Sequence, residues 1–323
     1  MRLTSALRSC SVLLLLQTAF WSAAVNASWV KVAAENSFND VALTQAEHQA
    51  LVQSGSAPFW GHTGPKSVFL AWNSAAFDAV SQRLYFIGGG HADYGGNEVY
   101  AFDLVQNRWL RLSMPEALTL AEPHSQVKDK LAYLPANSPL SPHTYDGLSW
   151  NPKTRSLWLA SEHGFGGTGM PPHKPATSLV WEFSPATGSW KKYPISYSAN
   201  WPKTVALGNT GKTLVIDYLS YSYHRAFIID EAGNEQLLGK VEGLDNTSEI
   251  GTLFSNPVTG QLYSAHQQGI YRLTLQGNKL SAQKAASFPT LAELHLSMDY
   301  RKPVMLIARK TANFISGTVA PIC

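Results

Sequence analysis

One stretch constrains the fold more than any other: Gly88-Gly89-Gly90-His91-Ala92-Asp93-Tyr94-Gly95-Gly96-Asn97-Glu98-Val99-Tyr100-Ala101-Phe102-Asp103, with Trp109 six residues further on. An apolar strand over residues 84–87 runs into glycines, which turn sharply because they carry no Cβ. A second strand over 98–103 leaves them, and Trp109 opens a third. The unit recurs. Phe183 and Trp190 repeat the spacing of Phe102 and Trp109. Upstream of each pair lies an apolar strand, an Asp or Asn turn and another apolar strand: Phe77-Asp78 before Leu84-Tyr85-Phe86, and Trp150-Asn151-Pro152 before Leu157-Trp158-Leu159. The same order returns as Phe254-Ser255-Asn256-Pro257 before Leu262-Tyr263. Weaker copies are Leu207-Gly208-Asn209 before Leu214-Val215-Ile216, and Met298-Asp299 before Val304-Met305-Leu306. Units spaced by roughly 45 to 75 residues fit the sheets of a β-propeller with loop insertions.

The expected fold is therefore all-β, a propeller of five four-stranded blades. An open ring exposes strand edges, so closure matters. Ser28-Trp29-Val30-Lys31-Val32 resembles the strands around Trp109 and Trp190. It is expected to be the outermost strand of the last blade, whose other strands come from residues 294–319.

The first 27 residues read as a signal peptide, with Arg2 and Arg8 ahead of an apolar run and Val25-Asn26-Ala27 as a small-residue cleavage site. That run is short for a membrane span, so stable membrane insertion is not expected. The expected organisation is a signal peptide over 1–27 and a single propeller domain over 28–323, secreted or periplasmic. Removing the signal takes away two arginines and no carboxylate, lowering the formal net charge from +3 to +1. A basic footprint for nucleic acid is absent. Of Cys10 and Cys323 only the latter remains, which excludes an intramolecular disulfide and a thiolate zinc cluster. Residues 115–142, with a short helical candidate around Ala117 to Ala121, and the Gly/Pro-rich residues 164–175 read as insertions.

The Phe-x6-Trp spacing preceded by glycines resembles the kelch repeat of galactose-oxidase-like propellers. Residues 89–100, together with Ser141-Pro142-His143-Thr144-Tyr145-Asp146-Gly147, look like secreted bacterial members of that group. The resemblance is specific over about residues 58–195 and generic beyond them. It implies a fold more firmly than a function. The copper-radical oxidation known from that superfamily needs a Cys joined to a Tyr beside copper. With Cys10 lost and Cys323 at the terminus, no such cofactor is expected.

In a propeller, the start of each inner strand and the connection between second and third strands lie on one face, around the channel mouth. His62 and His143 precede the inner strands of blades one and two, and His91 and His163 follow their second strands. Blade three adds Tyr221, Tyr223, His224 and Arg225, blade four His266, and blade five Arg309. For any one histidine, a bond to a loop carbonyl is the commoner role, and Asp93, Asn97, Asp146 and Asn151 can cap turns. Four histidines in equivalent positions point instead to a polar pocket.

Three chemistries fit such a pocket. The first is β-elimination on an acidic polysaccharide, which needs a cation for the uronate carboxylate, a base and an acid. His143 or His163 would be the base, Tyr223 the acid and Arg225 the clamp. The spacing of His143 and His163 resembles the histidine pair of propeller polysaccharide lyases. The second is recognition of a glycan or a protein partner without catalysis. His62, His91, Asp93, Tyr94, Tyr145, Tyr221, His266 and Arg309 would line the substrate site, with Trp60, Trp201, Tyr94 and Tyr221 offering stacking faces. The third is metal binding by imidazoles, which suit zinc or copper. No HExxH-type spacing supports it, no metal ligands are assigned, and zinc or calcium stays open as a cofactor.

Overall fold

The computed structural model describes residues 38–70, 73–89, 94–120, 133–161, 179–196, 202–220, 223–244, 252–256, 259–266 and 269–286. These residues form four antiparallel four-stranded sheets, each strand pairing with its neighbours in chain order. Blade one is β1 (Ala75–Asp78), β2 (Arg83–Phe86), β3 (Tyr100–Asp103) and β4 (Arg108–Arg111). A short hairpin, β5 (Thr119–Leu120) with β6 (Tyr133–Leu134), separates it from blade two. Blade two is β7 (Leu148–Asn151), β8 (Ser156–Ser161), β9 (Leu179–Ser184) and β10 (Ser189–Pro194). Blade three is β11 (Lys203–Ala206), β12 (Lys212–Ser220), β13 (Tyr223–Asp230) and β14 (Glu235–Lys240). Blade four is β15 (Thr252–Ser255), β16 (Leu262–His266), β17 (Gly269–Gln276) and β18 (Lys279–Ala286). The innermost strands β1, β7, β11 and β15 stand side by side in that order, which is the propeller arrangement. The fifth blade expected from residues 294–319 and 28–32 lies outside the described residues.

The repeat seen in sequence has a local cause. Asp78, Asp103, Asn151 and Asn256 each accept a backbone N–H two or three residues ahead, closing the hairpin turn. The residue that leaves the turn is left-handed: Gln82 (φ 54°), Asn107 (φ 50°), Arg155 (φ 53°), Gly188 (φ 67°) and Gly260 (φ 69°). The Phe-x6-Trp spacing is the reach of one such hairpin. Phe102 faces Trp109 across β3 and β4, and Phe183 faces Trp190 across β9 and β10, each pair with ring centroids 5.0 Å apart.

Alternation along the strands sends side chains to opposite faces of each blade, so the core consists of seams between blades. Tyr85, Ile87, Val99 and Ala101 of blade one meet Leu157, Leu159 and Phe183 of blade two. Trp158, Ala160 and Val180 meet Val215, Phe227 and Ile229 of blade three, and Leu214, Ile216 and Ile228 meet Leu253, Leu273 and Leu280 of blade four. Each fully buried side chain of this size contributes roughly 1.5–3 kcal/mol. The outermost strands carry Arg108, Arg111, Lys191, Lys192, Lys240, Lys279 and Lys284, charges that discourage edge-to-edge pairing.

Two features were not anticipated from sequence. Residues 38–70 fold onto the remaining face of blade one, where Phe38, Val41, Val68 and Phe69 cover Leu84, Phe86, Tyr100, Phe102 and Trp109. Within this segment α1 (Gln45–Gln53) starts at a capping box, Thr44 with Glu47. Glu47 also receives two guanidinium bonds from Arg111, at 2.7 and 3.2 Å. The second feature corrects the helical candidate around Ala117 to Ala121. Thr119 and Leu120 are extended in β5, because the chain just before them is claimed by tertiary bonds: Ala57 N–H to the Leu118 carbonyl (2.8 Å) and Leu118 N–H to Ser56 Oγ (3.0 Å).

Candidate functional site

The antiparallel pairing brings the starts of β1, β7, β11 and β15 and the ends of β2, β8, β12 and β16 to one end of the ring. The two motifs singled out in sequence meet there. Gly89 N–H donates to the Pro142 carbonyl (3.0 Å), Ser74 N–H to Thr144 Oγ1 (2.7 Å), and Asn97 Nδ2 to Ser138 Oγ (2.9 Å). A Cβ at Gly88 would lie 2.5 Å from the Pro142 carbonyl oxygen, so only glycine allows this approach. The segment carrying His143 and Tyr145 is thereby locked against blade one.

Tyr145 is the conformational exception at this end. Its φ is 45°, and unlike Gln82, Asn107 and Arg155 it is not in a strand-to-strand hairpin. The turn it occupies is closed by Gly147 N–H bonding the Thr144 carbonyl at 2.6 Å. Left-handed backbone costs a residue with a Cβ roughly 1–2 kcal/mol, and such strain persists where the surroundings impose it. The half-buried ring has the His143 imidazole edge-on at 5.9 Å and the Lys203 ammonium 5.9 Å from its centroid.

Beside it, Asp146 joins three blades. Its Oδ2 accepts the Lys203 ammonium at 3.3 Å and the Thr252 hydroxyl at 3.1 Å, and its carbonyl accepts Thr204 N–H at 2.9 Å. One strand further out, the Arg225 guanidinium donates to the fully buried Asp217 carboxylate at 2.5 Å. Lys203 and Thr252 are the contributors that the sequence reading passed over. A signal was available: stepping back four residues from Asp78, Asn151, Leu207 and Asn256, the equivalent turn positions, lands on Ser74, Gly147, Lys203 and Thr252.

The other expected site residues distribute as follows. Tyr223 opens β13 and His266 closes β16, both at this end of their blades. His62 is exposed on the turn after Trp60, and no described contact joins it to His143. His91, Asp93, His163, Tyr221 and Arg309 lie outside the described residues. Tyr94 and Arg225 are both engaged within the protein. Tyr94 is fully buried and donates to Glu98 at 2.5 Å, so it has no ring face to offer a ligand. Arg225 is engaged by Asp217.

Tyr94 belongs to a structural cluster. Glu98 Oε1 also accepts the Tyr100 hydroxyl at 2.7 Å, and that hydroxyl receives Leu43 N–H at 2.9 Å. Burial pushes the Glu98 carboxyl up, against the two phenol bonds that favour its charge. Burial and the adjacent carboxylate likewise push both tyrosines up. Trp60 is half-buried between His48 and Tyr94, with ring centroids 5.3 and 6.4 Å away.

Among the described residues no group of three or more His, Cys, Asp or Glu side chains is arranged to hold a metal ion, and no helix is long and apolar enough to cross a membrane. No protein-family model and no curated protein matches the chain. Among solved structures it is similar to a structural-genomics gluconolactonase candidate, with 14% identity, a TM-score of 0.38, and coverage of 65% of this chain and 62% of that one. It is also similar to a fungal alcohol oxidase of the AA5 family in complex with copper (12% identity, TM-score 0.37, 71% of this chain and 56% of that one). A gluconolactonase from Xanthomonas campestris gives 12% identity, a TM-score of 0.32, and coverage of 72% and 79%. The chain thus spans less than two thirds of the first two structures. At these scores the likenesses carry no functional argument, and the propeller architecture rests on the strand topology.

Proposed function

We propose that this chain is a secreted, kelch-type propeller that recognises an extracellular glycan at the channel mouth. Tyr145 is the stacking platform, and His143 is a hydrogen-bonding partner for sugar hydroxyls. An aromatic face among a few fixed polar groups is the usual make-up of such a site. The Phe102–Trp109 and Phe183–Trp190 hairpin pairs support the kelch assignment.

Among the described residues, the pairing of the two cations near this end favours recognition over elimination. Lys203 and Arg225 are each matched by a carboxylate, Asp146 and Asp217. Elimination from a uronate requires a cation to stabilise the charge that develops on the sugar carboxylate. A cation that already serves a protein carboxylate does this poorly, whereas hydrogen bonding to neutral hydroxyls asks for no net charge.

Retention on a glycan array, with wild type beside His143→Ala and Tyr145→Ala, tests the reading. Wild type should be retained on a defined set of glycans, and both variants should lose that retention while still melting cooperatively. Unchanged retention in both would remove the site from this end of the channel. A rise in ultraviolet absorbance on incubation with uronate polysaccharides, abolished in His143→Ala, would replace recognition by lyase chemistry.

A further inference from the structure

We infer that Asp146 determines the charge class of ligand taken at the channel mouth, excluding anionic sugars and admitting neutral ones. The inference rests on the glycan-recognition reading and goes beyond it by naming the residue that sets the preference. Asp146 is held from three sides. The Lys203 ammonium (3.3 Å) comes from blade three, the Thr252 hydroxyl (3.1 Å) comes from blade four, and its own main chain is pinned by Thr204 N–H (2.9 Å). With 9% of its side chain exposed it cannot turn away into solvent, and Lys203, at 14%, is nearly as enclosed.

The same ammonium lies over the Tyr145 ring, 5.9 Å from its centroid, so its charge is felt by a sugar placed against that ring. An anionic sugar on that ring would approach a cation whose charge is already balanced, and would bring its own charge close to the Asp146 carboxylate. With the pair intact the ammonium offers such a sugar no net attraction, and the carboxylate beside it opposes the added negative charge. A neutral sugar meets none of this. Replacing the carboxylate by an amide of the same shape keeps an acceptor for the Thr252 hydroxyl and leaves the Lys203 charge facing the platform. The mouth then becomes an anion site. A salt bridge that served only to join blades would change stability on mutation and leave ligand preference where it was.

The test measures affinity for a uronate tetrasaccharide and a neutral glucose tetrasaccharide, at low and physiological salt, in wild type, Asp146→Asn and Asp146→Asn/Lys203→Gln. Asp146→Asn should raise the uronate-to-neutral affinity ratio about tenfold or more, with the gain shrinking as salt rises. The double variant should return to the wild-type ratio. An unchanged ratio in a cooperatively melting Asp146→Asn protein overturns the inference. If wild type binds neither sugar, the glycan reading fails, and uronate binding gained by Asp146→Asn alone decides the inference: gained, it stands; not gained, it falls. If Asp146→Asn does not melt cooperatively, Lys203→Gln takes its place. There the carboxylate is left unbalanced, and affinity for a cationic amino-sugar tetrasaccharide should rise about tenfold. No rise overturns the inference.

Discussion

Tyr145 allows a test in which backbone strain and ligand binding are read from the same pair of variants. Its φ of 45° costs any residue with a Cβ roughly 1–2 kcal/mol. Tyr145→Ala removes the ring and keeps that cost, whereas Tyr145→Gly removes both. At an ordinary position glycine is the less stable of the two by about 0.4–1 kcal/mol, because its unfolded chain has more freedom to lose. Here the relief of strain outweighs that term, and Tyr145→Gly is expected to be the more stable variant by about 0.5–1 kcal/mol. Denaturant unfolding of the two variants in parallel with wild type gives the order from the midpoints. The same substitutions at Arg155, with φ 53° in the β7–β8 turn at the opposite end of the blade, serve as a control. They should show the same inversion with glycan retention intact, while both Tyr145 variants lose retention because both lose the ring. An alanine variant at least as stable as the glycine variant at position 145 would refute the left-handed backbone there.

Trp158 is fully buried in the seam between blades two and three and stacks on Tyr193 at 5.2 Å, so Trp158→Ala should destabilise by about 3–5 kcal/mol in denaturant unfolding. Trp109, half-buried on the face covered by Phe38 and Phe69, should cost less on the same substitution. Glu47 and Glu98 should give opposite pH dependences. The Arg111 hydrogen bonds hold the Glu47 carboxyl down at about 2, below its ordinary 4.5. Its stabilisation is therefore complete above the ordinary value and is lost as pH falls toward 2, amounting to about 1 kcal/mol for a partly exposed pair. Glu47→Gln should flatten that acid limb in melts across the range. Glu98 is raised by burial, so its contribution is present at low pH and lost as pH rises through the folded-state value. Glu98→Gln should gain in melting temperature relative to wild type as pH rises above its ordinary value of 4.5. A constant difference would contradict the raised carboxyl.

Sequence reading reached what is periodic. The Asp and Asn turns, the aromatic hairpin pairs and the alternation of strands are all local, and each recurs in more than one of the blades described. It missed α1 because a single short helix has no counterpart elsewhere in the chain. The placement of residues 38–70 depends on a blade face that becomes visible only once the sheet exists. The site was legible as an end of the channel and less so as a set of residues. His143 and Tyr145 come together there, and the glycine motif packs against the same segment. Lys203 and Thr252 were overlooked because neither residue type announces a role. Their meaning comes from being first in an inner strand, beside an aspartate from another blade. Tyr94 shows the reverse case: a tyrosine in a glycine-rich loop reads as accessible, but its hydroxyl bonds the buried Glu98 carboxylate and the ring is fully buried.

The segment over blade one has a consequence for the order in which the chain folds. In a ring of sheets, a blade ordinarily waits for its second neighbour before both of its faces are covered, and for the first blade that neighbour arrives at the far end of the sequence. Here Val68 and Phe69 precede the first strands of the blade they cover by a short stretch of chain, with Phe38 and Val41 further upstream. Contacts that close small loops form early, since little chain entropy is lost in making them. Blade one with this cover is expected to order ahead of the docking of blade two, so Phe69→Ala should slow refolding in stopped-flow measurements more than it speeds unfolding.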